Sequence, residues 1–392
     1  MSRASVQAKR LDTANGAVRS DPWLLSSFMC LILLGLLMVY SASIGLGDKN
    51  IVNYDAFVRQ LLHVGIGLVI MLVVTFMPTQ FWHRVSLPLL AVSILLLIAV
   101  LLIGVELNGS QRWLVIAGVS QQPAEFAKLA IVIYAASYLT RRQAQLTQFS
   151  KGIVNLGLVL MLFAGLLLQQ PDFGSFFVIT CTVGLMLFLG GIRISHTLFC
   201  LTLAVAAMFL MISMSEYRME RLMSFRDPWA DPFDSGFQLV NSLIAIGRGE
   251  IFGVGLGASI QKLYYLPHAN NDFIFAVIGE ELGLVGILLV VALFATLLFR
   301  ALAISRQAEL LGRIYAARLA QGVGILLVFQ AVINMGVNLG ALPTKGLTLP
   351  FVSYGGTSML VCCFAAGLLL AIDRQNQRRA GPQVAAKSGR RR

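Results

Sequence analysis

The residues best suited to chemistry lie in a glycine-rich polar stretch that ends in a carboxylate. Residues 247–283 read GRGEIFGVGLGASIQKLYYLPHANNDFIFAVIGEELG, so Asp272 stands directly before an apolar run at 273–278. A carboxylate at the mouth of an apolar helix can act as a general base toward a hydroxyl group or form part of a transport gate. It can also cap the helix by accepting its free N–H groups. The sequence leaves these roles open.

Two more acidic residues follow within the same apolar segment. Glu280 and Glu281 lie about 12 Å further along a helix that rises 1.5 Å per residue. Ionisable groups inside a membrane-spanning helix are costly, and they are usually paired or functional. We therefore expect this pair to support the site around Asp272.

A second polar group precedes an earlier apolar segment. Pro123 suits the first turn of a helix, where its missing N–H costs nothing. Glu125 and Lys128 then lie one turn apart, which predicts an intramembrane ion pair of either structural or functional purpose. Arg112 and Trp113 stand at the interface, where they would anchor the chain in the membrane or contact a headgroup.

Two turn-rich segments add polar residues at the same face. Residues 169–174 read QQPDFG and include Asp172, and residues 349–356 read LPFVSYGG. Because several polar clusters fall on one face, we expect them to line one cavity.

The glycines at 247, 249, 253, 255 and 257 invite a nucleotide-binding interpretation, which their context does not support. A P-loop requires Gly-Lys-Ser/Thr after its glycines, and Lys262 comes too late. A dinucleotide fingerprint requires a preceding strand and a following helix. The glycines instead predict tight turns or a close approach to a lipid headgroup.

The elements that must hold these residues are transmembrane helices. Of 392 residues, 57% are hydrophobic and only 12% are charged, whereas a soluble chain of this length needs more charge on its surface. About ten apolar runs approach the ~20 residues that span hydrocarbon. They are 23–43, 58–77, 87–105, 123–139, 152–168, 176–191, 198–214, 273–299, 319–340 and 354–372. The sequence therefore predicts an all-α, polytopic integral membrane protein.

The charge distribution predicts the orientation of these helices. Most of the 30 Lys and Arg residues lie in the two tails and in four short segments. Those segments are 78–86, 140–151, 192–197 and 300–318. Since basic loops stay in the cytoplasm, both tails, 1–22 and 373–392, are expected there, flanking a membrane domain of residues 23–372. Contact of the tails with the anionic lipid bilayer accounts for the net charge of +12 without a nucleic-acid partner.

One exterior loop, residues 215–272, is far longer than an ordinary connection, which is typical of functional loops. Within it, residues 236–246 predict a short amphipathic helix lying on the membrane. The five cysteines all lie inside apolar runs without metal-ligand spacing, so we interpret them as core residues.

Five segments occur in an order that resembles one known family. They are GSQRW and QQPAEFAK within 109–128, QQPDFGS at 169–175, FRDPWADPF and GFQ within 225–238, the segment 247–283, and TKGLTLPFVSYGGTS at 344–358. This series resembles the SEDS family of bacterial cell-wall polymerases, and its division branch more than its elongation branch. The resemblance implies the family's ten-helix fold with one large exterior loop, in the bacterial inner (cytoplasmic) membrane at the division septum.

The resemblance also implies an activity and partners. The activity is that of a peptidoglycan glycosyltransferase that polymerises lipid II into β-1,4 glycan strands, with a class B penicillin-binding protein and other division proteins as partners. On that pattern Asp272 matches the essential acidic residue, Trp113 the loop tryptophan, and Glu125 and Lys128 the intramembrane pair. The chain departs from the pattern just before Asp272, where His268 replaces the usual Glu, so no metal or substrate role is carried over to that position.

The chemistry of such a reaction requires one base and nearby cations. A sugar hydroxyl must lose its proton, and undecaprenyl pyrophosphate leaves without being protonated, unlike the alkoxide in glycosidases. Asp272 is the predicted base, and the α-linked donor would give a β-linked product by inversion. Arg218, Arg221 and Lys262, or a bound Mg²⁺ or Mn²⁺ ion, would hold the pyrophosphate.

Two other classes of function stay open. A lipid II flippase would need polar residues along a path with two alternating mouths, whereas the intramembrane charges lie toward the exterior and no inverted repeat is visible. A non-enzymatic scaffold for division proteins would keep its function after Asp272→Ala.

Overall fold

The protein is a bundle of long apolar helices. The structure, a computed structural model, describes residues 21–44, 55–107, 110–116, 119–146, 148–200, 202–203, 219, 223–234, 236–263, 266–267 and 269–389. Its helices are α1 (Pro22–Ile44), α2 (Asp55–Phe76), α3 (Thr79–Arg84), α4 (Ser86–Ile103), α5 (Pro123–Arg141), α6 (Phe149–Gly152), α7 (Val154–Gln169), α8 (Phe173–Leu189), α9 (Phe237–Gly249), α10 (Ile274–Leu310), α11 (Ile314–Asn338) and α12 (Gly356–Gly389). A further helical stretch covers 194–200.

These helices bear out the predicted all-α membrane fold. Among the described residues, α1, α2, α4, α10, α11 and α12 are long and apolar enough to cross a membrane, and α7 and α8 are shorter apolar helices. Each expected span coincides with a helix except 198–214, most of which lies outside the described residues. Helices suit this setting because hydrocarbon offers no partner to backbone polar groups, which must bond within the segment.

Helices α5 and α11, which carry buried charged and amide side chains, lie at the centre of the bundle. α5, which contains Glu125 and Lys128, is buried along nearly its whole length. α11 contacts α5, α8, α9, α10 and α12, and it too is almost entirely buried. Charged and amide side chains on these helices are therefore shielded from lipid and face other protein groups, as costly intramembrane polar residues usually do.

Polar contacts join the beginning and the end of the helical domain. Asp21 forms an ion pair with Arg300, and its main-chain N–H donates to Asp373 at 2.9 Å. Asn376 is buried and donates to the carbonyl of Ile304 at 3.0 Å. The folded domain thus extends past residue 372, where the sequence predicted the start of a tail, because α12 continues as a helix.

A small β-sheet interrupts the helical pattern, and the sequence did not predict it. β1 (Val105–Leu107), β2 (Ser110–Ile116) and β3 (Val119–Gln121) form an antiparallel sheet in the order β1-β2-β3. Arg112 and Trp113 lie on the central strand. Their positions are therefore set by a sheet rather than by an irregular loop.

Helix α10 is broken at Gly283, where φ is +64° and ψ is −160°. The glycine-rich loop after α9 fills the break with main-chain hydrogen bonds. These run from the N–H of Val254 to the carbonyl of Glu280 (3.0 Å), from Gly255 to Glu281 (3.2 Å), from Leu284 to Glu250 (2.9 Å) and from Val285 to Ile251 (3.2 Å). The loop thereby satisfies backbone groups that a broken helix would otherwise leave unpaired.

Two glycines make this docking sterically feasible. A β-carbon at Gly249 would lie 1.8 Å from the carbonyl oxygen of Gly279, and one at Gly253 would lie 2.1 Å from the carbonyl oxygen of Glu281. No side chain fits at such distances. These glycines therefore serve a close approach of two protein backbones; the sequence had suggested an approach to a lipid headgroup.

Part of the expected exterior loop is an ordered helix. The amphipathic helix predicted at 236–246 is present as α9, and its apolar side packs against α10 and α11. Ser242 on α9 donates to the carbonyl of Asn338 at the end of α11, at 2.8 Å. Helix α9 is thus part of the helical domain and leads directly into the loop that docks on α10.

Candidate active site

Asp272 lies two residues before α10 and is held by its main chain. Asn334 and Asn338 on α11 each donate a side-chain N–H to the Asp272 carbonyl oxygen, at 2.8 and 3.0 Å. The side-chain oxygen of Asn338 accepts the N–H of Ala276 in the first turn of α10, at 3.1 Å. An amide of α11 therefore bonds this helix end, and the cap that the sequence suggested for Asp272 stays a prediction. The Asp272 side chain is partly exposed.

A segment between α11 and α12, residues 343–355, packs over the stretch 270–272. The Ser353 hydroxyl donates to the carbonyl of residue 271 at 2.6 Å, and the Tyr354 N–H donates to that of residue 270 at 2.9 Å. Three consecutive carbonyls before α10 are thus hydrogen-bonded. Of the polar segments that the sequence placed at one face, 349–356 contacts the residues before Asp272 here.

The 343–355 segment also brings a glycine to the carboxylate, and a cationic residue precedes that glycine in the chain. A β-carbon at Gly346 would lie 3.2 Å from Oδ2 of Asp272, so the carboxylate rests against a residue without a side chain. Lys345 is the next residue in the chain, is partly exposed, and places its Nζ 4.0 Å from the centre of the Phe173 ring. Sequence reasoning missed Lys345. Its signal was a basic residue beside a glycine, four residues before the segment 349–356 that the sequence placed at the same face.

The Glu125 and Lys128 side chains form an ion pair of 2.7 Å on α5, and both are buried. Lys128 also donates to the side-chain oxygen of Gln330 on α11 at 2.7 Å. The Gln330 amide in turn donates to the carbonyl of Thr348 at 3.0 Å. This pair is therefore connected to the 343–355 segment through α11.

Glu280 and Glu281 are fully buried, and each has a basic partner. Glu281 pairs with Lys262 at 2.7 Å and accepts a hydrogen bond from the Ser41 hydroxyl of α1, while Glu280 pairs with Arg248 at 2.8 Å. Lys262 is only 2% exposed. Because a buried carboxylate needs a cation, Lys262 neutralises Glu281. It does not present its ammonium group to a pyrophosphate as the sequence suggested.

Arg112 and Asp172 meet where α7 turns into α8. The Arg112 guanidinium donates to the carbonyls of Gln170, at 3.1 Å, and of Pro171. Asp172 caps α8, since its Oδ1 accepts the N–H of Ser175 at 3.1 Å. The contacts of Arg112 thus attach the β-sheet to the turn between α7 and α8. Trp113, which pairs with Val105 in the sheet, is half-buried.

Two predicted site residues, Arg218 and Arg221, lie outside the described residues, as does His268. Within the part of the chain that is described, no three His, Cys, Asp or Glu side chains converge as metal ligands would. Because Mg²⁺ is commonly held by one or two carboxylates together with substrate phosphates, the metal expected near Asp272 stays a prediction.

The structure thus sorts the predicted residues into three groups. Asp272 lies with Gly346 and the 343–355 segment at a partly exposed surface. The Glu125–Lys128 pair is connected to that segment through Gln330 of α11. Glu280, Glu281 and Lys262 instead belong to the break in α10. This arrangement places the partly exposed Asp272 just before the start of α10 and next to Gly346, which Lys345 precedes in the chain.

Residues 22–378 match the cell cycle protein family of FtsW, RodA and SpoVE. The probable peptidoglycan glycosyltransferase FtsW of Coxiella burnetii is 45% identical over 360 residues, which cover 91% of this chain and 97% of the relative. The protein of the same name from Nitrosococcus halophilus is 46% identical over 372 residues, or 94% of this chain and 95% of the relative.

Solved structures share the fold. A chain from a peptidoglycan synthase complex that coordinates polymerization and crosslinking is 28% identical, covers 91% of this chain and 98% of its own length, and superposes with a TM-score of 0.76. The rod shape determining protein RodA of Thermus thermophilus is also 28% identical, with 91% and 97% coverage and a TM-score of 0.67.

Proposed function

Because the chain belongs to the cell cycle protein family of FtsW, RodA and SpoVE, we propose that it polymerises lipid II into β-1,4 glycan strands during cell division. Its curated relatives are named peptidoglycan glycosyltransferases, and this chain is an enzyme of that class. They carry the name FtsW, which agrees with the division branch indicated by the sequence.

The position of Asp272 carries the proposal for the mechanism. Its carboxylate is partly exposed, and its main chain is fixed by two amides of α11. In the proposed reaction the acceptor's 4-hydroxyl oxygen attacks the anomeric carbon of the donor. Asp272 takes the hydroxyl proton as the oxygen–carbon bond forms and the bond from carbon to phosphate oxygen breaks. The pyrophosphate leaves on its lipid with the electron pair of that bond.

Cations must stabilise the departing pyrophosphate, since it leaves unprotonated. Lys262 is committed to Glu281, so we assign this task to Lys345 together with Arg218 and Arg221 of the long loop. Lys345 belongs to the segment that places Gly346 against the Asp272 carboxylate. Attack from the face opposite the pyrophosphate inverts the anomeric centre and gives the β-linkage.

The proposed setting follows from the same family. The enzyme works in the bacterial inner membrane at the division septum, with both termini in the cytoplasm and Asp272 outside. A class B penicillin-binding protein is the proposed partner; the solved peptidoglycan synthase complex, in which polymerization and crosslinking are coordinated, supports this proposal. Other division proteins complete the expected assembly.

The test is polymerisation of purified lipid II by the detergent-solubilised complex with the partner. Asp272→Asn keeps the size of the side chain but removes the base, so we expect glycan synthesis to fall by at least ~10²-fold. Asp227→Asn, an exposed acid in the same loop, is the matched control and should leave the rate unchanged.

Equal partner binding and equal melting temperature of the two variants must accompany the comparison. Normal polymerisation by Asp272→Asn would remove Asp272 as the base. Loss of polymerisation by both variants would point to the loop's folding rather than to catalysis. An unaffected division process in cells with Asp272→Ala would favour the scaffold function.

A further inference from the structure

Helix α11 carries three buried amide side chains on one face. Gln330, Asn334 and Asn338 are spaced four residues apart, so they lie one above another along the helix. All three are nearly inaccessible to solvent. Buried amides are costly unless they are hydrogen-bonded, which makes their partners informative.

Asn334 donates hydrogen bonds to two segments, one that precedes α11 in the chain and one that follows it. Its side-chain nitrogen donates to the carbonyl oxygen of Asp272 at 2.8 Å and to that of Leu347 at 2.6 Å. Leu347 directly follows Gly346, the residue against the Asp272 carboxylate. One amide group therefore fixes both the backbone of the candidate base and the backbone that limits the space for its carboxylate.

Asn338 completes the arrangement one turn later. It donates a second hydrogen bond to the Asp272 carbonyl at 3.0 Å and accepts the Ala276 N–H at 3.1 Å. The Asn338 side chain thus bonds the carbonyl of Asp272, before the start of α10, and the N–H of Ala276, after it. Rotation of Asp272 relative to α10 would break contacts on both sides.

We propose that Asn334 is a positioning residue for the glycosyl transfer, which acts by holding the Asp272 main chain and the 343–355 segment in one fixed arrangement. The inference rests on the proposed function of Asp272. Asn334 bonds the main chain of the base and is itself buried, so we assign it to geometry and not to substrate binding. A displacement of a reacting group by about 1 Å can reduce a rate by about 10²-fold.

The first test compares wild type, Asn334→Ala and Asp272→Asn in the lipid II polymerisation assay with the partner bound. We expect Asn334→Ala to lower kcat by about 10-fold to 10²-fold with KM for lipid II little changed. Asn241→Ala is the matched control. Asn241 is a buried amide on α9 that donates only within its own helix, to the carbonyl of Phe237 at 2.8 Å, and its loss should leave kcat unchanged.

A second variant separates positioning from folding. Asn334→Ser removes the amide but keeps a hydroxyl that can donate one of the two hydrogen bonds, and it should lower kcat in the same direction at a melting temperature near that of wild type. If Asn334→Ala does not fold, Asn334→Ser carries the comparison. A normal kcat in a folded Asn334 variant, or a change in KM alone, would overturn the proposal.

The assay also distinguishes this proposal from the proposed function beneath it. An inactive Asp272→Asn together with a fully active Asn334 variant would refute the positioning role and leave the base in place. An active Asp272→Asn would refute the base itself, and with it the role assigned to Asn334.

Discussion

At the scale of single residues, the structure separates acids that resemble one another in the sequence. Asp272 is partly exposed at a helix start, whereas Glu280 and Glu281 are fully buried and paired with cations. A carboxylate that must accept a proton from a substrate needs access, and a buried ion pair has none. The chemical candidate and the structural acids thus differ in burial.

The pair Lys262–Glu281 allows a direct test of this separation. Removal of one partner leaves an uncompensated buried charge, which costs about 3–5 kcal/mol, whereas removal of both charges is far less harmful. Lys262→Met should therefore lower the melting temperature in detergent, and Lys262→Met combined with Glu281→Gln should restore much of it along with polymerisation. A stable but inactive double variant would instead indicate that Lys262 holds the pyrophosphate.

At the scale of elements, the glycine-rich loop and the broken helix α10 form one unit. The four backbone hydrogen bonds across Gly283 replace those that a continuous helix would have made within itself. Because the pairing is between backbones, side chains at the contact would obstruct it. Gly249 and Gly253 thus have a steric explanation that does not involve nucleotide.

Two glycines in this loop make a matched pair for measurement. Gly253 and Gly257 both have positive φ, +78° and +83°, but only Gly253 has a backbone atom where a β-carbon would go. Gly257→Ala should cost about 1–2 kcal/mol for its backbone conformation alone. Gly253→Ala should cost about 1–3 kcal/mol more through overpacking. Equal losses of melting temperature in the two variants would show that the loop does not dock on α10 as described.

At the scale of the whole molecule, the start of α1 and the C-terminal part of α12 lie close together. Asp21 contacts Arg300 and Asp373, so the first helix starts where α12 leaves the bundle. An even number of membrane crossings has this property. Together with the basic tails, it supports an orientation in which both termini are cytoplasmic.

This orientation can be measured with single cysteines in a background without the five native ones. Phe233 in the long loop and Leu310 at the end of α10 are almost equally exposed, at 89% and 88%. An impermeant maleimide should label Phe233→Cys in intact spheroplasts, and Leu310→Cys only after the membrane is opened. Labelling of Leu310→Cys in intact spheroplasts would reverse the proposed topology.

The sequence by itself determined the class of the protein and most of its helices. A span of hydrocarbon requires a long apolar run, so composition and run length identify α1, α2 and α4 almost residue by residue. Ordered motifs likewise indicated the family. Both signals are local in the chain, which is why they could be read without coordinates.

Only the tertiary structure decided which polar residues form ion pairs and hydrogen bonds with one another. Nothing in the sequence distinguished Lys262 and Arg248 from other loop cations. In the structure they form ion pairs with Glu281 and Glu280 next to the break in α10. Lys345 reached the candidate site although its position in the chain is remote from Asp272. Partners of this kind are set by how α10, α11 and the loops pack, because hydrogen bonds and ion pairs depend on distances in space, and residues far apart in the chain meet only after folding.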